Sequence, residues 1–312
     1  MNTQNTNPIH YIAIDVSKAS LQVQDDKRAF AVENTSSGHR KLLDHLKGCS
    51  KPLVVYEASG GYERELAAFL RMSAIPQAML NPARVRDFAR SEGVRAKTDP
   101  IDTRMILAFA KSKALEAIDP PSEESLKLAA LLDRRDHLVE QMAREKNRLQ
   151  NSEALIHRSI QRMMKILQKE IAVIDKAISQ LVDSTPLLKS RAQTMQSVKG
   201  VGKVTAWTLL AYLTEMDHLD RNKLVALAGL APFNRDSGKM SGRRSIQGGR
   251  AKVRKCLYMA AHTAASCNPV ISAYVPGLRD RGKPYKCAIV AAMRKLLIHL
   301  QCLIKKSQLA PC

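Results

Sequence analysis

Tyr11-Ile12-Ala13-Ile14-Asp15-Val16 is a compact apolar run with one acid near its end. Its length and composition predict a buried β-strand that delivers Asp15 to the edge of a sheet. A carboxylate placed there is costly unless it is paired or binds a metal ion. A later stretch, Pro52-Leu53-Val54-Val55-Tyr56-Glu57, repeats the pattern of an apolar strand that ends in a carboxylate.

The elements around these two strands are predicted from similar patterns. We expect short strands over residues 21–25, 29–33 and 77–80, and helices over residues 37–47, 62–72 and 82–90. The predicted order is therefore three strands, helix, strand, helix, strand and helix. One more helix follows, and it carries two further acids.

That last helix begins in the stretch Val94-Arg95-Ala96-Lys97-Thr98-Asp99-Pro100-Ile101-Asp102. Thr98 is a good N-cap and Pro100 suits a first helical turn, so Asp99 and Asp102 lie three residues apart on one helix face. Two carboxylates that close repel each other, and a divalent cation such as Mg²⁺ would relieve the repulsion. The alternative is that both acids only favour the positive end of the helix dipole.

The charge of the chain indicates a polyanionic partner. The formal net charge is +21, and residues 191–312 hold 21 basic but only 5 acidic residues. Such a basic region attracts nucleic acid, while a membrane surface is disfavoured because we find no basic amphipathic anchor and no apolar run long enough to span a bilayer. The polar start of the chain does not resemble a signal peptide, and the six separated cysteines suggest reduced thiols in the cytoplasm. None of the eight histidines pairs with an acid or a cysteine at ligand spacing, so we assign them no chemistry.

The middle of the chain has a heptad pattern. Its apolar residues recur at spacings of four and three: Ile160, Met164, Leu167, Ile171, Ile174, Ile178 and Leu181. This pattern predicts two long helices, paired as an antiparallel hairpin or between two chains as a dimer contact. A plain helical spacer is the alternative.

The basic last third contains two glycine-rich features. The first, Gly200-Val201-Gly202, resembles a helix-hairpin-helix element, whose glycines and helix start can approach a phosphate. The second is an arginine-rich turn that contains Ser237, Ser241 and Ser245. A serine there could attack phosphorus while guanidinium groups stabilise the phosphoryl charge, and the chemistry alone does not choose among the three. A solvated basic turn is the alternative.

The order of strands, helices and acids resembles the RNase H-like fold in its RuvC form, in which strands one and four are neighbours and a late helix crosses the sheet. That resemblance implies that Asp15, Glu57, Asp99 and Asp102 converge and hold two Mg²⁺ ions. Seven motifs occur in order along nearly the whole chain: Ile14-Asp15-Val16, Tyr56-Glu57-Ala58-Ser59-Gly60, Lys97-Thr98-Asp99-Pro100-Ile101-Asp102, Gly200-Val201-Gly202, Gly229-Leu230-Ala231-Pro232, Asp236-Ser237-Gly238 and Leu257-Tyr258-Met259. With these motifs, the chain as a whole resembles the DEDD transposases of the insertion-sequence 110 family.

The family resemblance implies a mechanism and an architecture. It makes Ser237 the nucleophile that forms a phosphoserine link, with Asp236 as a candidate local base. It implies an α/β RuvC-like domain (residues 1–118), a coiled-coil arm (119–188) and a mostly helical transposase domain (189–312). It also implies a dimer or tetramer whose site combines acids from one subunit with the serine of another, donor and target DNA as substrates, a non-coding bridge RNA as guide, and a cytoplasmic, nucleoid-associated location.

We predict nucleic-acid contacts at nine basic residues, namely Lys97, Arg104, Lys199, Lys203, Lys239, Arg243, Arg244, Arg250 and Arg254. Two rival functions remain open at this point. One is a junction-resolving nuclease with the same acids and water as the nucleophile, and the other is a non-catalytic nucleic-acid-binding protein.

Overall fold

A computed structural model describes residues 8–93, 99–117, 121–233 and 245–309, without the side chains of residues 99–101 and 308–309. The chain divides into two compact units, Met1–Pro120 and Pro121–Cys312. The further predicted boundary at residue 188 stays a prediction.

The first unit is built on a five-stranded sheet. Its strands are β1 (His10–Val16), β2 (Ser20–Gln24), β3 (Ala29–Glu33), β4 (Pro52–Glu57) and β5 (Gln77–Leu80). Their order across the sheet is β3-β2-β1-β4-β5. The first three strands form an antiparallel meander, while β4 runs parallel to β1 and β5 runs parallel to β4. The two acidic strands, β1 and β4, are therefore neighbours.

Helices cover both faces of this sheet. The helices of the unit are α1 (Ser36–Lys47), α2 (Arg64–Met72), α3 (Pro82–Ser91) and α4 (Asp99–Ser112). Ile12 and Ile14 of β1 pack with leucines of α1 and α2, whereas Tyr11 and Ala13 pack with Ile106 of α4. Because successive side chains of a strand point to opposite faces, burial on both sides explains why β1 and β4 are almost entirely apolar.

The second unit begins with two long helices, α5 (Glu123–Gln150) and α6 (Ala154–Ser184), which pack against each other in one chain. The three residues between them turn the chain back on itself, so the hairpin alternative is the one that the structure contains. Arg135 of α5 and Asp175 of α6 form an ion pair across the hairpin at 2.6 Å. Whether the pair is a coiled coil stays a prediction.

The remainder of the second unit is mostly helical. Its helices are α7 (Pro186–Gln196), α8 (Lys203–Tyr212), α9 (Arg221–Leu227), α10 (Ala251–Cys267), α11 (Pro269–Asp280) and α12 (Tyr285–Leu309). Two short strands, β6 (Pro232–Phe233) and β7 (Ser245–Ile246), pair between α9 and α10. A continuous aliphatic core joins these helices to the base of the α5–α6 hairpin through Leu128 and Ile178.

The expectation of no apolar run long enough to span a bilayer was wrong. Residues Tyr285–Ser307 of α12 are long and apolar enough to cross a membrane by length and composition alone. A long helix with a wide apolar surface places that surface either in lipid or in a protein core. Here Ile289, Leu297 and Leu300 lie in the core of the second unit, which is the arrangement of a core helix.

Candidate active site

The register of two neighbouring strands brings two of the predicted acids together. Ile14 of β1 lies opposite Tyr56 of β4, and Asp15 and Glu57 each follow by one residue. Both acids are half-buried. They continue the side-chain row of Ala13 and Val55, so they lie on the sheet face that α4 covers. Two carboxylates thus occupy corresponding positions at the carboxyl ends of parallel strands.

Helix α4 brings a third acid to the same face. Ile106 and Phe109 of α4 are buried against the sheet, and Asp102 lies four and seven residues before them, on the same helical stripe. Asp102 is half-buried, and Arg104, predicted to contact nucleic acid, is exposed. Asp99 lies in the first turn of α4, but its side chain is outside the described residues. The fold therefore places Asp15, Glu57 and Asp102 on one face, between sheet and helix.

A fifth acid, Glu63, was not predicted from the sequence, and it orders the loop after Glu57. The Glu63 carboxylate accepts hydrogen bonds from the Ser59 hydroxyl at 2.8 Å and from the backbone N–H groups of Ser59 and Gly61 at 3.0 and 2.9 Å. Burial alone would raise the pKa of Glu63, but these hydrogen bonds outweigh it and lower the pKa. Ser59 lies four residues before Glu63 and directly before Gly60-Gly61. This spacing is the sequence feature that could have identified Glu63.

The predicted nucleophile lies outside the described residues. Residues 234–244 contain Ser237, Asp236, Ser241, Lys239, Arg243 and Arg244, and residues 94–98 contain Lys97. Of the three serines that competed for the role, Ser245 is described, and it is exposed in β7.

The described residues on either side of the 234–244 segment are held together by backbone contacts. Pro232 pairs with Ile246 and Phe233 pairs with Ser245, and the Arg250 N–H donates to the Leu227 carbonyl at 2.9 Å. Gly229 and Gly249 both have positive φ, and a Cβ on Gly249 would overlap the backbone of Gly229. These residues form the stem of the segment, and we use that word for residues 229–233 and 245–249.

Two arginines predicted to contact nucleic acid donate hydrogen bonds to acceptors within the protein. The Arg250 guanidinium donates to both oxygens of Glu215, at 2.6 and 2.7 Å, and to the Tyr212 carbonyl at 2.6 Å. Arg254 donates to the carbonyl of Gly248 at 2.5 Å. Their contacts with nucleic acid stay predictions, and the structure gives both side chains a role in holding the stem.

The glycines of the Gly200-Val201-Gly202 turn have different environments. Gly200 has a φ of +96°, and a Cβ there would lie 2.7 Å from the Ala264 Cα, so its missing side chain lets the turn pack closely against α10. Gly202 is the N-cap of α8 and has open space around it. Lys199 and Lys203 flank this turn and are exposed. Gly202 has the open space that a phosphate would need to approach the backbone, as predicted, whereas Gly200 is packed against α10.

Comparison with known proteins identifies the family. Residues 12–155 match a DEDD transposase model of the IS110 group, described as "Transposase", and residues 192–276 match the model described as "Transposase IS116/IS110/IS902 family". The chain belongs to the insertion-sequence 110 family of transposases. It is accordingly an enzyme of DNA recombination or transposition.

Curated relatives agree with this membership. The transposase is 27% identical over 310 residues to the "Pilin gene-inverting protein" of Moraxella lacunata and to that of Moraxella bovis, and the match covers 96% of each chain. It is 30% identical over 142 residues to the "Insertion element IS900 uncharacterized 42 kDa protein" of Mycobacterium paratuberculosis, over 42% of this chain and 34% of that protein.

The two matched ranges of the transposase contain different candidate residues. The first range contains Asp15, Glu57 and Asp102, and the second contains the Gly200 turn, the stem and Ser237. The mixed α/β first unit and the mostly helical remainder fit a transposase of this family, and membership of a DEDD family suggests the use of a divalent metal.

The spacing of the histidines in the sequence assigned them no chemistry, but the fold brings two of them to one carboxylate. His45 Nε2 lies 2.9 Å from Asp25 Oδ2, and His10 and Cys49 lie beside the same carboxylate. Local patterns do not reveal this cluster, because His10, Asp25 and the His45–Cys49 pair are far apart in the sequence.

Proposed function

We propose that this transposase cleaves and rejoins DNA strands with Ser237 as the nucleophile, at a site whose acids, Asp15, Glu57, Asp99 and Asp102, hold two Mg²⁺ ions. The observation that carries the proposal is the pairing of Ile14 with Tyr56, which places Asp15 and Glu57 side by side beneath α4.

The donor chemistry of the site fits this metal. Carboxylate oxygens are the ligands that Mg²⁺ prefers, and the three half-buried acids Asp15, Glu57 and Asp102 lie on one face. Bound there, Mg²⁺ would neutralise charge on the phosphate and on the leaving oxygen. The acids would hold the cation at the carboxyl ends of β1 and β4, and the scissile phosphate would bind there through the cation, because the carboxylates have the same sign of charge as the phosphate.

In the proposed step the Ser237 oxygen forms a bond to phosphorus while one ester bond of the DNA backbone breaks. The serine proton passes to a base, for which Asp236 is the local candidate, and the leaving oxygen takes a proton from solvent and departs as a hydroxyl group. One phosphodiester replaces another, so the energy for rejoining is conserved in the protein–DNA link. The name of the Moraxella relatives refers to inversion and the family description to transposition, and both outcomes require DNA strands to be cut and rejoined.

The wider arrangement is also part of the proposal. The strand order β3-β2-β1-β4-β5 with α4 on one face supports an RNase H-like fold of the RuvC form. The α5–α6 hairpin is proposed as the coiled-coil arm of a dimer or tetramer, in which one subunit supplies the acids and another the serine. The basic last third, with Lys199 and Lys203 exposed, supports binding of both DNA and a bridge RNA by a DNA-acting, nucleoid-associated protein.

The test is a denaturing gel of the protein incubated with labelled DNA, its RNA and Mg²⁺. We expect a covalent protein–DNA adduct that disappears in Ser237→Ala and persists in the matched controls Ser241→Ala and Ser245→Ala. If the adduct is lost in one of the control variants and kept in Ser237→Ala, the serine replaced in that control is the nucleophile. Full-rate cutting by Ser237→Ala without any adduct would mean that water is the nucleophile, as in a junction-resolving nuclease.

A further inference from the structure

A second group of metal-ligating side chains lies at the other end of β1 from Asp15. His10 begins β1, Asp25 follows β2, His45 lies in the last turn of α1, and Cys49 follows that helix. His10 and Asp15 are five residues apart on one strand, which corresponds to roughly 16 Å. The group is therefore separate from the proposed Mg²⁺ site and does not depend on the proposed function.

The ligand atoms of three of these residues converge. One atom each of His10, Asp25 and Cys49 lies within 4.8 Å of the other two. Asp25 is only 5% exposed, so its carboxylate is not an ordinary surface acid. The backbone N–H groups of Lys27 and Arg28 hold Asp25 Oδ1 at 2.7 Å each, and this leaves Oδ2 directed to the cluster.

One atom in the cluster lacks a partner. His10 Nε2 is buried and has no hydrogen-bond partner among the described residues. It lies 3.7 Å from Asp25 Oδ2, and this distance is too long for a hydrogen bond. The two side chains form an ion pair only if His10 is protonated. Two ligands of one tetrahedral zinc ion are about 3.3–3.8 Å apart, given metal–ligand bonds of about 2.0–2.3 Å. The observed separation thus matches two ligands that share a cation.

His45 has the position of a supporting residue. Its Nε2 forms a hydrogen bond with Asp25 Oδ2 at 2.9 Å, and its ring packs edge-on against the ring of Phe30, with ring centroids 4.9 Å apart. Hydrogen bonds of this kind orient the carboxylates that ligate metals.

We propose that His10 Nε2, Asp25 Oδ2 and Cys49 Sγ bind one zinc ion, with water as the fourth ligand and with His45 orienting Asp25. The mixture of imidazole, carboxylate and thiol favours zinc over Mg²⁺, which prefers oxygen ligands alone. On binding, the Cys49 thiol releases its proton to solvent and coordinates as a thiolate. The ion would cross-link the start of β1, the β2–β3 turn and the end of α1.

The test uses the full-length protein expressed with zinc in the medium, and then its apo form titrated with Co²⁺ as a spectroscopic probe. We expect about one zinc per chain in the purified protein, a thiolate-to-cobalt charge-transfer band, and a melting temperature that falls by several degrees when a chelator removes the metal. Cys49→Ser should lose the band and His10→Gln should lose stoichiometric zinc. Cys267→Ser, which removes an exposed thiol, should keep both.

The Asp15→Asn variant separates this site from the proposed Mg²⁺ site, because it should retain the zinc and the cobalt band. Wild-type protein that binds no zinc and gives no cobalt band would overturn the proposal. Zinc and a band that remain unchanged in both Cys49→Ser and His10→Gln would also overturn it, since the metal would then lie elsewhere.

Discussion

Arg250 and Glu215 meet through two parallel hydrogen bonds, from Nη2 to Oε1 at 2.6 Å and from Nη1 to Oε2 at 2.7 Å. Arg250 is the N-cap of α10, and Glu215 belongs to the turn after α8. Burial alone would raise the pKa of Glu215, but the bonds and the charge of Arg250 outweigh it and lower the pKa. The ion pair therefore fixes the start of α10 next to the stem.

Replacing Glu215 by Gln should weaken this attachment. We expect Glu215→Gln to lower the free energy of unfolding by about 2 kcal/mol at pH 7, because a charged hydrogen bond becomes a neutral one and Arg250 keeps an uncompensated charge. The folded-state pKa of Glu215 lies below its usual value of 4.5, so its contribution is full above that pH and is lost as the pH falls through the folded-state pKa.

Urea unfolding of wild-type and variant protein across acid pH measures this effect. The difference between them should shrink below pH 4.5. Glu123→Gln is the control, since Glu123 forms an exposed ion pair with Lys127 and should change stability by less than about 1 kcal/mol. A difference that stays constant down to the lowest pH would argue against the ionic role of Glu215.

The stem provides a matched pair of glycine substitutions. Gly248 and Gly249 have similar φ values of +67° and +63°, so alanine at either position carries a similar backbone strain of about 1–2 kcal/mol. A Cβ on Gly248 has open space, whereas a Cβ on Gly249 would overlap Gly229. We expect Gly249→Ala to lose more thermal stability and more adduct yield than Gly248→Ala. Equal losses in both assays would show that close approach at Gly249 is unimportant.

Asp102 provides a test of the shared acidic face. Asp102→Asn should reduce metal-dependent strand cleavage at least about a hundredfold, because it removes a charge that is proposed to hold the cation. Asp87→Asn is the control, since Asp87 forms an exposed ion pair with Arg90 on α3 and should leave the rate unchanged. Single-turnover cleavage with saturating DNA measures both, and a near wild-type rate for Asp102→Asn would remove this residue from the site.

Lys203 tests the role of the turn before α8 in nucleic-acid binding. Lys203 is exposed next to Gly202. If it contacts a phosphate, Lys203→Ala should weaken binding to all sequences alike and should reduce the slope of log affinity against log salt by about one. Lys127→Ala, which removes an exposed lysine on α5, should leave the slope unchanged. An unaltered slope in Lys203→Ala would place the phosphate contacts elsewhere.

Much of the first unit could be predicted because its signals are local. The strands at 29–33, 52–57 and 77–80 coincide with β3, β4 and β5, since each is a short apolar or alternating run between polar turns. The positions of Asp15 and Glu57 at strand ends followed from the same runs. Their alignment with each other depends on the parallel register of β1 and β4, which no local pattern encodes.

The features that the sequence did not predict depend on long-range packing. His10, Asp25, His45 and Cys49 come together only after the meander folds and α1 returns across the sheet. Arg250 resembles its neighbours in an arginine-rich turn, and only the fold places it against Glu215. Helix α12 was missed because its lysines and arginines interrupt a sequence that is apolar on the faces packed against α10 and α11.

The stem has a practical consequence for engineering. Directly opposite partners in an antiparallel pair are about 4.5–5.5 Å apart, so Phe233 and Ser245 present two nearly touching attachment points. The entropic cost of closing a loop grows only slowly with its length. A replacement of residues 234–244 by a segment of different length should therefore leave the pairing of β6 with β7 and the packing of α9 and α10 intact.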